Sequence, residues 1–179
     1  MRPSDLHYIM EYLPIRYAAT AEQENDRQVV YSFKNGNCSL SLMNRIAEEI
    51  KKIKETVDGK NWRVCFIPAS TRHNTVLRYQ RLATFIERET GVACNCQTVM
   101  PAIDQQPSHI TGKKGDSTKN FCVNATDVKE RDIILIDDVI TRGYTFAQTA
   151  RKLRKNGANR VVGLFVAVTV NPDRNSHVA

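Results

Sequence analysis

Ile133-Ile134-Leu135-Ile136-Asp137-Asp138-Val139-Ile140-Thr141-Arg142-Gly143-Tyr144-Thr145 is the stretch on which the reading of this chain turns. Its opening apolar run suits a strand buried on both faces, as in a parallel sheet. Two adjacent carboxylates follow at the strand's carboxyl end, where open α/β sheets bind their ligands. A turn carrying Thr141, Gly143 and Thr145 then enters a helix, with Phe146, Ala150 and Leu153 at helical spacing and Gly157 as its cap. Backbone N–H groups of residues 142–145, the hydroxyls of Thr141 and Thr145 and the positive helix end can together hold a phosphate dianion, and Gly143 lets the backbone approach closely. In that arrangement Asp137 and Asp138 face a sugar. They can accept hydrogen bonds from two vicinal hydroxyls, and their charge favours a cationic sugar carbon as a leaving group departs. Without the turn behind it, an acidic pair at a strand end would read as a solvated edge.

Working outward, residues 161–168 form a last strong strand, and residues 62–67 form another, closed by Pro68. Val76, Tyr79, Ala83 and Ile86 recur at helical spacing up to Gly91, and Leu42, Ile46, Ile50, Ile53 and Val57 do so up to Asp58-Gly59. Residues 29–33 are a short β-prone run stopped by Asn35-Gly36-Asn37, and residues 92–99 read as a further strand. Residues 101–119 hold little that is apolar, and so long an irregular segment in a compact domain suits a functional lid. Residues 121–124 are briefly extended. Strands alternating with helices predict a parallel sheet of about five strands with helices on both faces. Roughly the first 25 residues read as an appendage, with a polar stretch at 18–27.

The 179 residues are 41% hydrophobic and 25% charged with 8 Gly and 6 Pro, which predicts a single folded domain and excludes disordered, collagen-like and coiled-coil classes. No apolar stretch approaches the ~20 residues of a spanning helix, and residues 1–17 do not read as a secretory signal. Five cysteines, at 38, 65, 94, 96 and 122, are an odd number without a C-x-x-C pair. That excludes a disulfide framework and a zinc knuckle and predicts a reducing cytoplasm, with Cys94 and Cys96 packed as small apolar residues. The four histidines, at 7, 73, 109 and 177, lack metal-ligand spacing. A net charge of +7 suits an anionic partner, whether phosphate metabolite or nucleic acid. Arg151, Lys152, Arg154 and Lys155 read either as a nucleic-acid patch or as a solvated helix face. Gly112-Lys113-Lys114 lacks the Gly-Lys-Ser/Thr of a P-loop, which excludes an NTPase on that ground.

Residues 133–145 resemble, position for position, the PRPP-binding signature of type I phosphoribosyltransferases. The resemblance implies an α/β fold of that type, with a small hood over a five-stranded parallel sheet. It implies that Asp137 and Asp138 bind the ribose 2′ and 3′ hydroxyls and that Thr141, Arg142, Gly143, Tyr144 and Thr145 bind the 5′-phosphate. Purine-salvage members carry an acidic residue where this chain has Thr141, which argues against hypoxanthine or guanine as acceptor. Residues 66–72 resemble the family's pyrophosphate loop, with Ala69, Ser70, Thr71 and Arg72 meeting pyrophosphate. Arg78-Tyr79-Gln80, leading a helix, and the basic loop 106–121 resemble ComF-like members, so the similarity covers roughly residues 28–170. The cysteine-rich segment that often precedes ComF domains has no counterpart in residues 1–27, and the usual glycine near Arg78 is missing.

The resemblance divides the chain into an appendage or part of a hood (1–27), a phosphoribosyltransferase domain (28–170) and a polar tail (171–179). It implies a Mg²⁺-dependent transfer of phosphoribosyl from PRPP to a small-molecule nitrogen acceptor, releasing pyrophosphate. Asp137, Asp138 and Arg72 would be the catalytic residues, with Mg²⁺ held by the substrate and reached by an aspartate only through water. Lys113, Lys114 and Lys119 would form a lid, and a homodimer is implied. The alternative is a non-catalytic PRPP- or nucleotide-binding protein, or a ComF-like accessory protein acting on nucleic acid.

Overall fold

The computed structural model describes residues 5–103 and 117–172, apart from the side chains of Ser117 and Lys119. Five parallel strands form the main sheet: β1 (Leu6–Tyr12), β2 (Trp62–Phe66), β3 (Ala93–Cys94), β6 (Asp132–Ile140) and β7 (Arg160–Thr169), in the order β1-β7-β6-β2-β3. Helices α1 (Ala21–Lys34), α2 (Leu40–Thr56) and α3 (Arg72–Thr90) cover one face, and α5 (Tyr144–Lys155) covers the other. The alternation of a β strand divides the core between them. Val64, Phe66, Ile134 and Ile136 pack among the α1–α3 side chains, while Cys65, Ile133 and Leu135 pack with Phe146, Ala150 and Leu153 of α5. The apolar run before Asp137 is therefore apolar because both of its sides are buried.

β2 connects to β3 through α3, and β6 connects to β7 through α5, in opposite directions across the sheet and over opposite faces. Right-handed crossovers that diverge in this way open a crevice between the two strands they leave from, at the carboxyl ends. Here those strands are β2 and β6, which pair in register from Trp62 with Asp132 to Phe66 with Ile136. The α/β class and the five-stranded parallel sheet agree with the expectation from sequence.

Three elements differ. Residues 29–33 are not a strand but the end of α1, where Val30 and Phe33 stand one turn apart and are both buried. A capping box, Thr20 with Gln23, starts this helix inside the stretch that looked like polar loop. The fifth strand is instead β1, from the segment read as an appendage; it pairs in parallel with β7 from Leu6 with Gly163 to Tyr12 with Thr169. As an edge strand carrying His7 and Glu11 it lacks the continuous apolar run that marks a central one. The strand expected at 92–99 divides into β3 in the main sheet and β4 (Val99–Pro101), which pairs antiparallel with β5 (Phe121–Val123). Asn95 and Thr98 both donate to Asp127 Oδ2, at 2.9 Å each, and turn the chain away from the sheet between them. Asp127 belongs to the short helix α4 (Ala125–Val128) and also receives Arg63 Nη1 at 2.6 Å. β4 and β5 lie beside α5, whereas residues 6–12 of the segment expected as an appendage or part of a hood run in the main sheet as β1.

Candidate functional site

β6 continues past the acidic pair to Ile140, so Asp137 and Asp138 are strand residues at the mouth of the crevice. They enter two different environments. Asp137 lines a cavity of about 160 Å³ together with Thr141, Arg142, Gly143, Tyr144 and Thr145. Asp138 turns toward α1 and α3, where Arg78 Nη1 lies 3.4 Å from Oδ2 and Lys34 Nζ lies 3.9 Å from Oδ1. Backbone N–H groups fix both carboxylates: that of Asp138 donates to Asp137 Oδ1 at 2.8 Å, and that of Val139 donates to Asp138 Oδ1 at 2.7 Å. Burial, and then the negative charge of Asp138, hold the Asp137 carboxyl well above the usual carboxylate range. The Asp138 N–H and the charges of Arg78 and Lys34 oppose that shift.

The opposite wall of the cavity is the start of α5. Gly143 occupies the N-cap position with φ of +70°, the left-handed region that favours glycine, and no side chain caps the helix there. The first N–H groups of a helix have no partner within it, so this end could hold an anion. Phe146 anchors it against the sheet, edge-on to Phe165 with ring centroids 5.6 Å apart. Gly163 of β7 makes the room, since a Cβ there would stand 2.8 Å from the Phe146 ring.

The loop after β2 arrives beside β6 through one further backbone hydrogen bond, Ile67 N–H to Ile136 O at 2.9 Å. Ala69 is buried, Ser70 and Thr71 are half-buried and Arg72, the first residue of α3, is exposed. This loop is internally bonded. Thr71 caps α3 by accepting the Asn74 N–H at 3.0 Å, and Thr75 Oγ1 accepts the Ala69 N–H at 3.0 Å while donating to Thr71 O at 2.8 Å. The residues expected to form the two anion loops and the acidic pair thus all lie at the β2–β6 crevice. Lys113 and Lys114, and His109 with them, lie outside the described residues, as does the Lys119 side chain.

Lys34, the residue just past the expected β-prone run at 29–33 and in fact the last of α1, is a functional candidate that sequence reasoning missed. Arg78 was noted, but it stands well inside α3 rather than at its start. Its neighbour Tyr79 is fully buried and stacks on Phe66 at 4.4 Å between centroids. Burial, and then the charge of Asp137, push the Tyr79 phenol well above its ordinary range, so that it stays neutral. Of the basic residues of α5, Lys152 Nζ donates to Thr118 O at 3.2 Å and Arg154 Nη2 to Val161 O at 3.5 Å, while Arg151 and Lys155 are exposed. Among the described residues no group of three or more His, Cys, Asp or Glu could hold a metal ion. No helix among them is long and apolar enough to cross a membrane.

No family model matches the chain, and no curated protein matches it. One solved structure, described as that of the allosteric regulatory enzyme of purine biosynthesis, is similar over 76% of this chain at 19% identity with a TM-score of 0.43. The chain spans 26% of the length of that enzyme's chain.

Proposed function

We propose that the chain is a phosphoribosyltransferase that takes PRPP as donor and a nitrogen base as acceptor. The observation that carries this reading is that Asp137 and the uncapped turn 141–145 line one cavity. A 5′-phosphate seated on the N–H groups of that turn would place its ribose against the acidic pair. The paired carboxylates would accept hydrogen bonds from the two ring hydroxyls, and such charge-assisted bonds are worth ~1.5–3 kcal/mol each. When the bond from the anomeric carbon to pyrophosphate oxygen breaks, its electron pair leaves with the pyrophosphate. The acceptor nitrogen supplies the new pair, and its proton passes to the departing pyrophosphate or to water. In between, positive charge on the sugar is favoured by the adjacent carboxylates. Arg72, on the loop hydrogen-bonded alongside β6, supplies positive charge for the leaving pyrophosphate.

The residues present fit Mg²⁺ in one manner. Asp138 already faces two cations, and among the described residues the pair belongs to no cluster of three or more acids, histidines or cysteines, so it suits contact through water with a cation that brings substrate oxygens. Mg²⁺ bound in that way would neutralise pyrophosphate as it departs. The Arg78-Tyr79-Gln80 segment and the 106–121 loop support a ComF-like member of the class.

Calorimetric titration with PRPP and Mg²⁺ tests the reading. Saturable binding to the wild type that is lost in Asp137→Asn/Asp138→Asn is expected, followed by pyrophosphate release when bases are added. Binding without release from any base would establish a non-catalytic PRPP-binding protein. No binding at millimolar PRPP would end the phosphoribosyl reading.

A further inference from the structure

Asp138 is held from two helices. Arg78 reaches it with Nη1 while its Nε donates to the carbonyl of Lys34, at 2.9 Å, near the last turn of α1. The guanidinium lies over the Tyr79 ring, 5.6 Å from its centroid, and only 18% of the side chain is exposed. One planar fork therefore ties α1, α3 and β6 together at the mouth of the crevice, a task that a single ammonium cannot perform. The approach depends on the turn after α1. Gly36 has φ of +84°, and a Cβ on it would come within 3.0 Å of the Leu77 carbonyl oxygen of α3.

A carboxylate offers about four lone-pair sites. At Asp138 the Val139 N–H engages Oδ1, with Lys34 Nζ 3.9 Å from the same oxygen, and Arg78 engages Oδ2, so both oxygens are anchored. The carboxylate plane is then set before any ligand arrives. An unanchored carboxylate would have to be ordered on binding, at a cost in affinity.

We propose that Arg78 is a positioning residue for the acidic pair, fixing the Asp138 carboxylate for ring hydroxyls of the ligand without itself touching the 5′-phosphate. This inference rests on the phosphoribosyl reading of the site. Arg78 thereby distinguishes a ribose-bearing ligand from a bare anion: its loss weakens the first and spares the second.

The experiment compares inorganic phosphate with ribose 5-phosphate as probes, titrated calorimetrically into wild type, Arg78→Gln and Arg78→Lys, with thermal melts to show that each variant is folded. Arg78→Gln is expected to weaken ribose 5-phosphate by about tenfold or more while phosphate changes less than about twofold. Arg78→Lys, which keeps charge but not the fork, recovers only part of the loss. Equal losses for both probes, an unchanged ribose 5-phosphate affinity in Arg78→Gln, or full recovery in Arg78→Lys would each overturn the positioning role alone. If wild type binds ribose 5-phosphate no better than phosphate, the phosphoribosyl reading falls, and this inference falls with it.

Discussion

Two strand-to-helix junctions meet at the crevice, one leaving β2 for α3 and the other leaving β6 for α5, and they treat their free N–H groups in opposite ways. At the first, the Thr75 hydroxyl takes the Ala69 N–H and the Thr71 hydroxyl takes the Asn74 N–H. At the second, a glycine stands where a capping side chain would be, and the donors face a cavity. Topologically the two are equivalent. The difference teaches that a helix start at a sheet's carboxyl edge becomes an anion site only when the sequence withholds its cap. The Ala69 and Asn74 N–H groups are thereby withdrawn from any ligand at the β2 loop.

The comparison can be broken most severely by filling the open junction with charge. Gly143→Asp puts a carboxylate at the anion surface, in a backbone conformation that Asp tolerates better than most residues. Phosphate affinity is expected to fall by about 100-fold or more, read by titration, and an unchanged affinity would remove α5 as the anion site. The closed junction should fail differently. Thr75→Val leaves the Ala69 N–H without its acceptor in a buried position and should cost ~1–3 kcal/mol in urea unfolding, with phosphate affinity at α5 unaltered.

Asp137 sharpens the contrast through pH. Its pKa in the folded chain lies above the ordinary carboxylate value, so folding favours its protonated form. The stability this confers is complete below the unfolded pKa, ~3.9, and is lost as pH rises through the folded value. Asp137→Asn keeps an oxygen for the Asp138 N–H and removes that loss. It should be more stable than wild type by ~0.5–2 kcal/mol at pH 8 and gain nothing at pH 4, as thermal melts at the two values would show. The smallest effect is expected from Thr71→Ala, which removes the cap of α3 for ~1 kcal/mol; a loss of phosphate affinity there would blur the distinction between the junctions.

The β6–α5 junction was legible in the sequence because its chemistry is local: apolar run, acids, turn and helix follow one another within residues 133–145. β2 was legible as a short apolar run closed by Pro68, and helices α2 and α3 by buried positions that repeat at the helical period. α1 was not. Its buried Val30 and Phe33 sit in a run that also suits a strand, and only packing under the sheet decides between the two. β1 was missed because an edge strand needs one covered side and signals itself weakly. The convergence of Lys34 and Arg78 on Asp138 joins residues from α1, α3 and β6, a contact that no spacing along the chain encodes.

The pairing of β1 with β7 carries a consequence for how the molecule is made. The strand that comes first in the chain finds its partner only when the strand that comes last has been synthesised, and closing so long a loop is entropically unfavourable and slow. On the ribosome β1 must therefore wait, its backbone unpaired, while β2, α3, β6 and α5 assemble. The loops after β2 and β6 can form in that interval, but the contacts of α1 with β1, such as Tyr31 with Tyr12, wait until β7 arrives.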